Sequence, residues 1–534
     1  MRTHRSQRLV TAALFALAAA IAGGAEPQPW TIFAFDDYSI PFKKNLFLTM
    51  AAAEKYARNP VVRRGPAGSP DSYRAQFYGS VIRVGETFRM WYTACSFDPG
   101  KGRGSWAGNP GYDDTWRVAY AESTDGLHWT KPDLGLTAFN GNQHTNLVRL
   151  PDEIDSALIN PLAVFVLHEP NDPDPSHRYK MALYGKYYNS DPAKKRKTSV
   201  TIYPLWSADG LRWKLAGPAP KAKAYDEKEA PFTTEHVFEI GGFYKFDGIY
   251  YVTGQQITPD TTLPNGDPVG RTMVTHWSGD FVHWSEESSF SFQRYGYRSA
   301  KVSSVEEAHE GASIWNRGNV LLGLFGLWHG SPEQRRWRLD LGLIVSNDGV
   351  HFREPVPDHV FLKAGSDGDW DKHGLIQGQG FVNVDSKTYI YFGTWDPSVG
   401  QVTPGEIGLA MVERDRLGYL ATRWPGEGSF ITSPIRPPRG GASLSLNAEG
   451  LSEDAYLGVE LIDKLGAPVR GFSGTAAAKV KSSGLAEKVV WPQSGASSLP
   501  EQPFRLHVRF LGKSPQKIRL YAAYVNRTQT EQER

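Results

Sequence analysis

Five polar side chains recur at one position of a repeating pattern, and two of them are carboxylic acids. They are Gln76, Asn160, Glu239, Glu310 and Gln377, each found by counting back from a short hairpin that follows an apolar strand. If these strands surround one axis, the five side chains converge. Two neighbouring carboxyl groups in a partly dry pocket divide into one protonated and one ionised group. Cleavage of a glycosidic bond needs such a pair.

Catalytic roles are predicted for three of the acidic residues. We expect Glu239 to act as general acid and Glu310 to act as base or nucleophile. Asp37 is the alternative to Glu310, with Asp36 and Asp71 in reserve, because these aspartates precede the first of the five strands. For each aspartate, capping of a turn is the alternative interpretation.

Other side chains are predicted to bind a substrate. Those expected to hold hydroxyl groups are Gln76, Asn160 and Gln377. His309 either binds a hydroxyl group or caps its strand. Trp370 lies in an acidic, aromatic loop that we expect over the mouth of the site, where the ring stacks on a sugar; an ordinary rim loop is the alternative. For the five convergent positions together, the alternative is a polar, water-filled tunnel.

Four copies of one phrase, here called Asp-boxes, indicate how these strands are arranged. The copies are Ser123–Trp129, Ser207–Trp213, Ser278–Trp284 and Ser346–Phe352. In each copy an Asp precedes an aromatic residue by four positions, and three copies contain Asp-Gly. This pair is typical of a tight hairpin turn, because glycine accepts positive φ. Strand-rich repeats of about 70 to 85 residues predict four-stranded sheets around an axis, as in a β-propeller.

The predicted fold class is all-β, with a five-bladed propeller followed by a C-terminal β-sandwich. Five inner hairpins separated by four Asp-boxes give the blade count. Beyond about residue 423 comes a joint rich in Pro and Gly, and then short alternating strands that are typical of a sandwich. The predicted limits are 1–25 for a signal peptide, 26–425 for the propeller, 426–441 for a linker, 442–526 for the sandwich and 527–534 for a tail.

The N-terminus and the composition limit the compartment and the partners. Arg2, Arg5 and Arg8 precede a short apolar stretch and the small residues 22–25, which predicts export to the periplasm or medium. No later stretch approaches the ~18 apolar residues of a membrane helix. The formal charge of +2 favours no nucleic-acid partner, and a single cysteine excludes an intramolecular disulfide. We expect a carbohydrate partner, no cofactor and no metal; the oligomeric state is not predicted.

Three segments carry a resemblance to a known group. They are residues 33–38, residues 59–61 and residues 238–248, the last with Glu239 and a following Asp-Gly at the spacing of an acid-bearing strand. The chain resembles the five-bladed propeller glycosidases of the glycoside hydrolase family 32 type, which includes invertases and levanases. The resemblance implies that Glu239 is the general acid. Gln76 and Asn160 stand where the family has two aspartates, so the resemblance also leaves open a non-catalytic glycan-binding propeller.

Overall fold

A computed structural model describes most of the chain. The described residues are 30–96, 116–155, 159–187, 199–217, 238–256, 272–294, 308–328, 338–372, 374–395, 404–438, 441–492 and 499–527. The predicted signal peptide and residues 528–534 of the predicted tail lie outside these ranges. No helix among the described residues is long and apolar enough to cross a bilayer.

Strands make up almost all of the regular structure in the described residues. The N-terminal strands are β1 (Trp30–Phe33), β2 (Phe42–Lys44), β3 (Leu46–Met50) and β4 (Glu54–Lys55). The next are β5 (Arg74–Val84), β6 (Thr87–Cys95), β7 (Trp116–Ser123), β8 (Ile159–His168), β9 (Tyr179–Tyr187), β10 (Ser199–Ser207), β11 (Lys214–Leu215), β12 (Phe238–Phe246), β13 (Ile249–Gln256), β14 (Thr272–Ser278) and β15 (Ser289–Phe292). Then come β16 (Ala308–Asn316), β17 (Leu321–Trp328), β18 (Leu339–Ser346), β19 (Leu375–Val384), β20 (Lys387–Thr394) and β21 (Ile407–Glu413). A helical turn, α1, spans Asp152–Asp155, and a 3-10 turn spans Pro175–His177.

These strands form five antiparallel units in the described part of the chain. Their strand orders are β5-β6-β7, β8-β9-β10-β11, β12-β13-β14-β15, β16-β17-β18 and β19-β20-β21-β4. A single parallel pair between β19 and β5 joins the first and last units into one seven-stranded sheet. The fourth strand of the last unit comes from the N-terminal region, where β4 pairs with β21. The chain's start therefore closes the unit that its later part begins.

Contacts between the innermost strands run around a ring. β8 is joined to β5 by the bond from Val166 N to Ser80 Oγ (2.8 Å), and β12 to the end of β8 by the bond from Lys245 Nζ to Glu169 (2.6 Å). β16 is joined to β12 by the bond from Ser313 Oγ to Gly241 O (2.8 Å), and β19 to β16 by the bond from Gln377 Nε2 to Gly311 O (3.4 Å). A parallel ladder pair between Gln379 and Ser80 joins β19 to β5. The predicted all-β class is confirmed, and the ring of described strands has the order that a propeller requires.

The Asp-boxes form the turns that their sequence predicts. In the first copy, Asp125 Oδ1 accepts hydrogen bonds from the N–H groups of Leu127 and His128, both at 2.8 Å. The Gly126 N–H donates to Ser123 Oγ at 2.9 Å, and Gly126 has a φ of +73°. The fourth and the second copies repeat these bonds. Each turn thus satisfies its own backbone groups with one Ser and one Asp.

Two further sheets form the C-terminal sandwich. Its later strands are β22 (Gly418–Thr422), β23 (Gly428–Ile431), β24 (Ala442–Glu449), β25 (Tyr456–Asp463), β26 (Ala478–Val480), β27 (Gly484–Lys488), β28 (Phe504–Leu511) and β29 (Arg519–Arg527), with 3-10 turns at Gly474–Ala476 and Pro515–Lys517. One sheet has the order β27-β24-β29-β22-β3 with β1 beside β29, and the other has the order β2-β23-β28-β25-β26. Trp491, Leu461 and Phe510 are fully buried in the core between them.

The sandwich sheets also contain strands from outside the range 442–526. β1 pairs with β29 from Trp30 opposite Val525 to Phe33 opposite Ala522, and β2 pairs with β23. β23 itself lies in the predicted linker 426–441. Long-range pairing explains the difference, because strands that are distant in sequence give no local signal that they belong to one sheet.

Candidate active site

Each innermost strand of the described ring carries a β-bulge near its start. The pairing register shifts by one or two residues at each bulge. The shifts lie between Gln76 and Ser80, Pro161 and Ala163, Ile240 and Gly242, His309 and Ala312, and Gln377 and Phe381. A bulge bends its strand and changes the direction of the side chains beside it. The five predicted polar positions lie immediately before or inside these bulges, so the bulges decide where those side chains point.

Glu239 lies at the start of β12, and its carboxyl group is held by a neighbouring strand. Its partner in the ladder is Gln255 of β13. Gln255 is 1 % exposed, and its Nε2 donates a hydrogen bond to Glu239 Oε2 at 2.7 Å. Glu239 itself is only half-buried. The carboxyl group is therefore fixed on one side while the residue keeps access to solvent.

Glu310 lies at the equivalent position, near the start of the adjacent innermost strand. It is an extra residue of the bulge in β16, next to Gly311. A Cβ atom on Gly311 would lie 2.8 Å from the Cα of Gly254, which pairs with Ile240 beside Glu239. The backbones of the two predicted catalytic glutamates are thus neighbours. The side chain of Glu310 lies outside the described part of the structure, as do those of Asn160 and His309.

Gln76 and Gln377 have a different role from the predicted one. Gln76 is 5 % exposed and its Nε2 donates to Leu162 O at 2.8 Å, while Gln377 is fully buried and its Nε2 donates to Gly311 O at 3.4 Å. Both carbonyls belong to bulge residues of the next sheet. A bulge leaves backbone groups outside the ladder, and buried backbone groups need partners. These two amides therefore join sheets, and Gln377 is not exposed to a substrate.

Asp37 lies at the opposite end of the sheet from Glu310. Arg353 Nε donates to Asp37 Oδ1 at 2.6 Å, and Asp36 accepts from Arg353 and from Asn347 of the fourth Asp-box. That turn begins at Ser346 of β18. Ser346 pairs with Leu321 of β17, and Leu321 pairs with Asn316 at the far end of β16. At ~3.3 Å per residue, this end is roughly 15–20 Å from Glu310. The structure corrects the prediction for both aspartates, because the segment that carries them runs along the sandwich.

Asp71 and Trp370 belong to two similar loops that lead into β5 and β19. Asp71 is buried, forms an ion pair with Lys131 at 2.5 Å and accepts from the Tyr92 hydroxyl at 2.9 Å. Burial, and then the charge of Asp71, raise the pKa of Tyr92 well above its usual value. In the second loop the Trp370 ring packs on Phe392, with centroids 5.9 Å apart. Trp370 is half-buried against the core, and its stacking on a sugar stays a prediction.

Three residues of the site escaped the sequence analysis: Gln255, Ser313 and Gln379. Gln255 holds Glu239, and the other two bond to the backbone of β12. The sequence signal that could have indicated the bulges is the set of glycines at 241, 242, 311, 378 and 380, since a glycine inside a strand pattern suggests a bulge. Among the described residues, no group of three or more His, Cys, Asp or Glu side chains is placed to hold a metal ion.

The comparisons with known proteins give structural likenesses only. The sequence matches no protein-family model and no curated protein. A glycosyl hydrolase from Bacteroides ovatus matches at 15 % identity and a TM-score of 0.42, over 69 % of this chain and 95 % of that one. An N-acetylgalactosamine deacetylase from F. plautii, solved with blood group B trisaccharide, matches at 14 % identity and a TM-score of 0.44, over 68 % of this chain and 96 % of that one.

A third solved structure comes from work on a family of mannoside phosphorylases. It concerns glycoside hydrolases of the GH130 family that target β-1,2 mannosidic linkages in Candida mannan. It matches at 14 % identity and a TM-score of 0.42, over 68 % of this chain and 94 % of that one. Membership of glycoside hydrolase family 32 stays a prediction.

Proposed function

We propose that this protein is a glycoside hydrolase that acts on oligosaccharide or polysaccharide in the centre of its propeller. Glu239 is the general acid that protonates the leaving oxygen. Glu310 is the base or the nucleophile, now without Asp37 as a competitor, because Asp37 pairs with Arg353 at the far end of the sheet. The observation that carries the proposal is the half-buried carboxyl group of Glu239, held by Gln255 beside the backbone of Glu310.

The hydrogen bond from Gln255 gives Glu239 a defined orientation. Its Oε2 accepts the bond, which fixes the plane in which the carboxyl group lies. Proton donation needs a donor oxygen within ~2.6–3.2 Å of the oxygen that accepts the proton, and a fixed carboxyl group meets that requirement better than a mobile one. The ladder between β12 and β13 places the two side chains directly opposite each other.

The proposal is tested by hydrolysis assays on a broad panel of glycans with product detection. We expect Glu239→Gln to abolish turnover with an unchanged melting temperature, because the amide keeps the shape of the carboxyl group and removes its proton. Asp37→Asn is the matched control, since it changes an acidic residue that lies at the far end of the sheet. Loss of turnover in Asp37→Asn together with full activity in Glu239→Gln would contradict the assignment.

A glycan-binding propeller without catalysis is the second candidate. It is favoured by the amides at Gln76 and Asn160, which stand where the resembled family has carboxylates. Binding of a glycan by calorimetry without release of product, unaffected by Glu239→Gln, would establish this function instead.

We further propose that the protein is exported. The basic residues Arg2, Arg5 and Arg8, the apolar stretch after them and the small residues 22–25 support this. N-terminal sequencing of the protein recovered from the periplasm or medium should begin near residue 26, and recovery of the uncleaved chain from the cytoplasm alone would contradict export.

A further inference from the structure

The bulge beside Glu239 is held by two side chains from other sheets. Gly241 is the extra residue of this bulge, between Ile240 and Gly242. Its carbonyl accepts a hydrogen bond at 2.8 Å from Ser313 Oγ of β16. The N–H of Phe243 donates at 3.0 Å to Gln379 Oε1 of β19.

The bond to Gly241 replaces a ladder bond that the bulge removes, and the bond from Phe243, which is back in register opposite Val252, ties the strand to β19 just after the bulge. Where a bulge interrupts pairing, main-chain groups lose their regular partners, and an unsatisfied buried group costs about 1–3 kcal/mol. Ser313 and Phe243 are fully buried, so water does not replace the bonds at these positions. The backbone is also crowded here, because a Cβ atom on Gly242 would lie 2.4 Å from Ala312 O. The two bonds and this close packing together hold β12 in the observed shape.

The shape of the bulge decides the direction of the Glu239 side chain. Glu239 lies two residues before Gly241, and residues at a bulge change the face to which neighbouring side chains point. In the observed direction the Glu239 side chain brings its Oε2 within 2.7 Å of Gln255 Nε2. The fourth and fifth units of the ring thus act on Glu239 through the backbone of the third.

We propose that Ser313 and Gln379 are positioning residues that lock the bulge of β12 and so aim Glu239. This inference rests on the proposed function, in which Glu239 is the general acid. Neither residue donates or accepts a proton in the reaction. A displacement of about 1 Å at a reacting group can cost ~10²-fold in rate, so loss of either bond should lower kcat while KM changes little.

The test compares variants of matched shape at Gln379 in the full-length protein. Gln379→Met keeps the length of the side chain and removes the acceptor, whereas Gln379→Glu keeps an acceptor for the Phe243 N–H. We expect a fall in kcat of at least about tenfold for Gln379→Met, by the displacement argument above, with KM within about twofold. Gln379→Glu should stay close to the parent. Ser313→Ala should behave like Gln379→Met and serves as the test if that variant does not fold.

Asn316→Leu is the matched control. It removes the 2.6 Å bond from Asn316 Nδ2 to Lys245 O, which joins the same two strands at their other end. It should lower the melting temperature and leave kcat unchanged. A kcat in Gln379→Met or Ser313→Ala equal to that in Asn316→Leu would overturn the proposal, as would a Gln379→Glu variant as impaired as Gln379→Met.

Hydrogen–deuterium exchange separates this inference from the proposed function, because it needs no substrate. Gln379→Met and Ser313→Ala should speed amide exchange in a peptide that covers the first half of β12. Asn316→Leu should not change exchange there. Absence of turnover in the parent protein, with this exchange pattern present, would refute the glycosidase and leave the lock in place. Unchanged exchange in the first half of β12 would refute the lock itself.

Discussion

Gln76 and Gln377 show why polar residues around an axis are ambiguous at the residue scale. The sequence places both at the right height, but the structure uses their amides to satisfy the carbonyls of bulge residues in the next sheet. Glu239 occupies the same height and stays half-buried with one oxygen held by Gln255. The positions were predictable from the hairpin count. Their roles were not, because these depend on which backbone groups the bulges leave without a ladder partner.

His276 on β14 gives a prediction about pH and stability. It is 3 % exposed, and burial lowers its pKa from 6.5 to about 4, with its Nδ1 at 3.1 Å from Ser285 O. The unfolded chain takes up a proton at this residue between pH 6.5 and 4, and the folded protein does not. The stability contributed here is therefore complete above pH 6.5 and falls as the pH falls to about 4, by on the order of 3 kcal/mol.

The measurement is urea denaturation of the parent and His276→Gln between pH 7 and 4.5. The variant cannot titrate at this position, so its free energy of unfolding should fall less than that of the parent as the solution is acidified. Parallel curves for the two proteins over this range would show that His276 is not held neutral.

Turns and bulges differ in how far they can be predicted at the element scale. The Asp-box turns follow from Ser, Asp and Gly alone, because their bonds are local. Even the third copy, which has Phe281 in place of Gly, keeps the turn with a φ of +71°. The bulges depend on contacts between sheets that are far apart in sequence, such as Ser313 with Gly241. Counting residues back from each hairpin, with regular alternation assumed, identified the correct strands but missed the extra residues of the bulges.

Gly210 in the second Asp-box tests how tightly these turns pack. It has a φ of +75°, and a Cβ atom there would lie 2.8 Å from Cζ2 of the fully buried Trp91. Gly85, with a φ of +59° and no atom within 4 Å of the added Cβ, is the control for backbone strain alone. Gly85→Ala should cost about 1–2 kcal/mol, and Gly210→Ala about 1–3 kcal/mol more. Equal losses in the free energy of unfolding, measured by urea denaturation, would mean that Trp91 moves aside at no energetic cost.

The sandwich and the ring of sheets are joined by a buried ion pair at the scale of the whole molecule. Asp415 is 1 % exposed and pairs with Arg317, which follows β16; it also accepts from the Tyr524 hydroxyl of β29 at 2.8 Å. Burial acts to raise the pKa of Asp415, but the charge and hydrogen bonds of Arg317 outweigh it and hold the pKa below its usual value. The sandwich was predictable from its alternating strands, whereas the contribution of β1, β2 and β3 was not.

Asp415→Asn should therefore loosen the two parts of the molecule. Removing one partner of a buried pair costs about 3–5 kcal/mol. We expect one calorimetric transition in the parent and a lower, divided transition in the variant. Glu413→Gln, which breaks the half-exposed pair with Lys387, is the control and should change little. Two separate transitions in the parent would show that the parts unfold independently.

Truncation after residue 423 tests the same connection more severely. It removes β23 to β29 and leaves β1 without β29 and β2 without β23. We expect aggregation or a clear fall in melting temperature. A soluble fragment as stable as the parent would mean that the sandwich contributes nothing to the stability of the sheets before it.

The role of Glu239 as general acid is tested most directly by the dependence of hydrolysis on the leaving group. A sugar identified in the glycan panel is attached to a poor leaving group and, separately, to a nitrophenol that departs without protonation. Glu239→Gln should lose kcat by at least about 100-fold on the first, since general acid catalysis contributes ~10²–10⁴-fold, and keep most of its rate on the second. Equal losses on both substrates, or no loss on either, would contradict proton donation by Glu239.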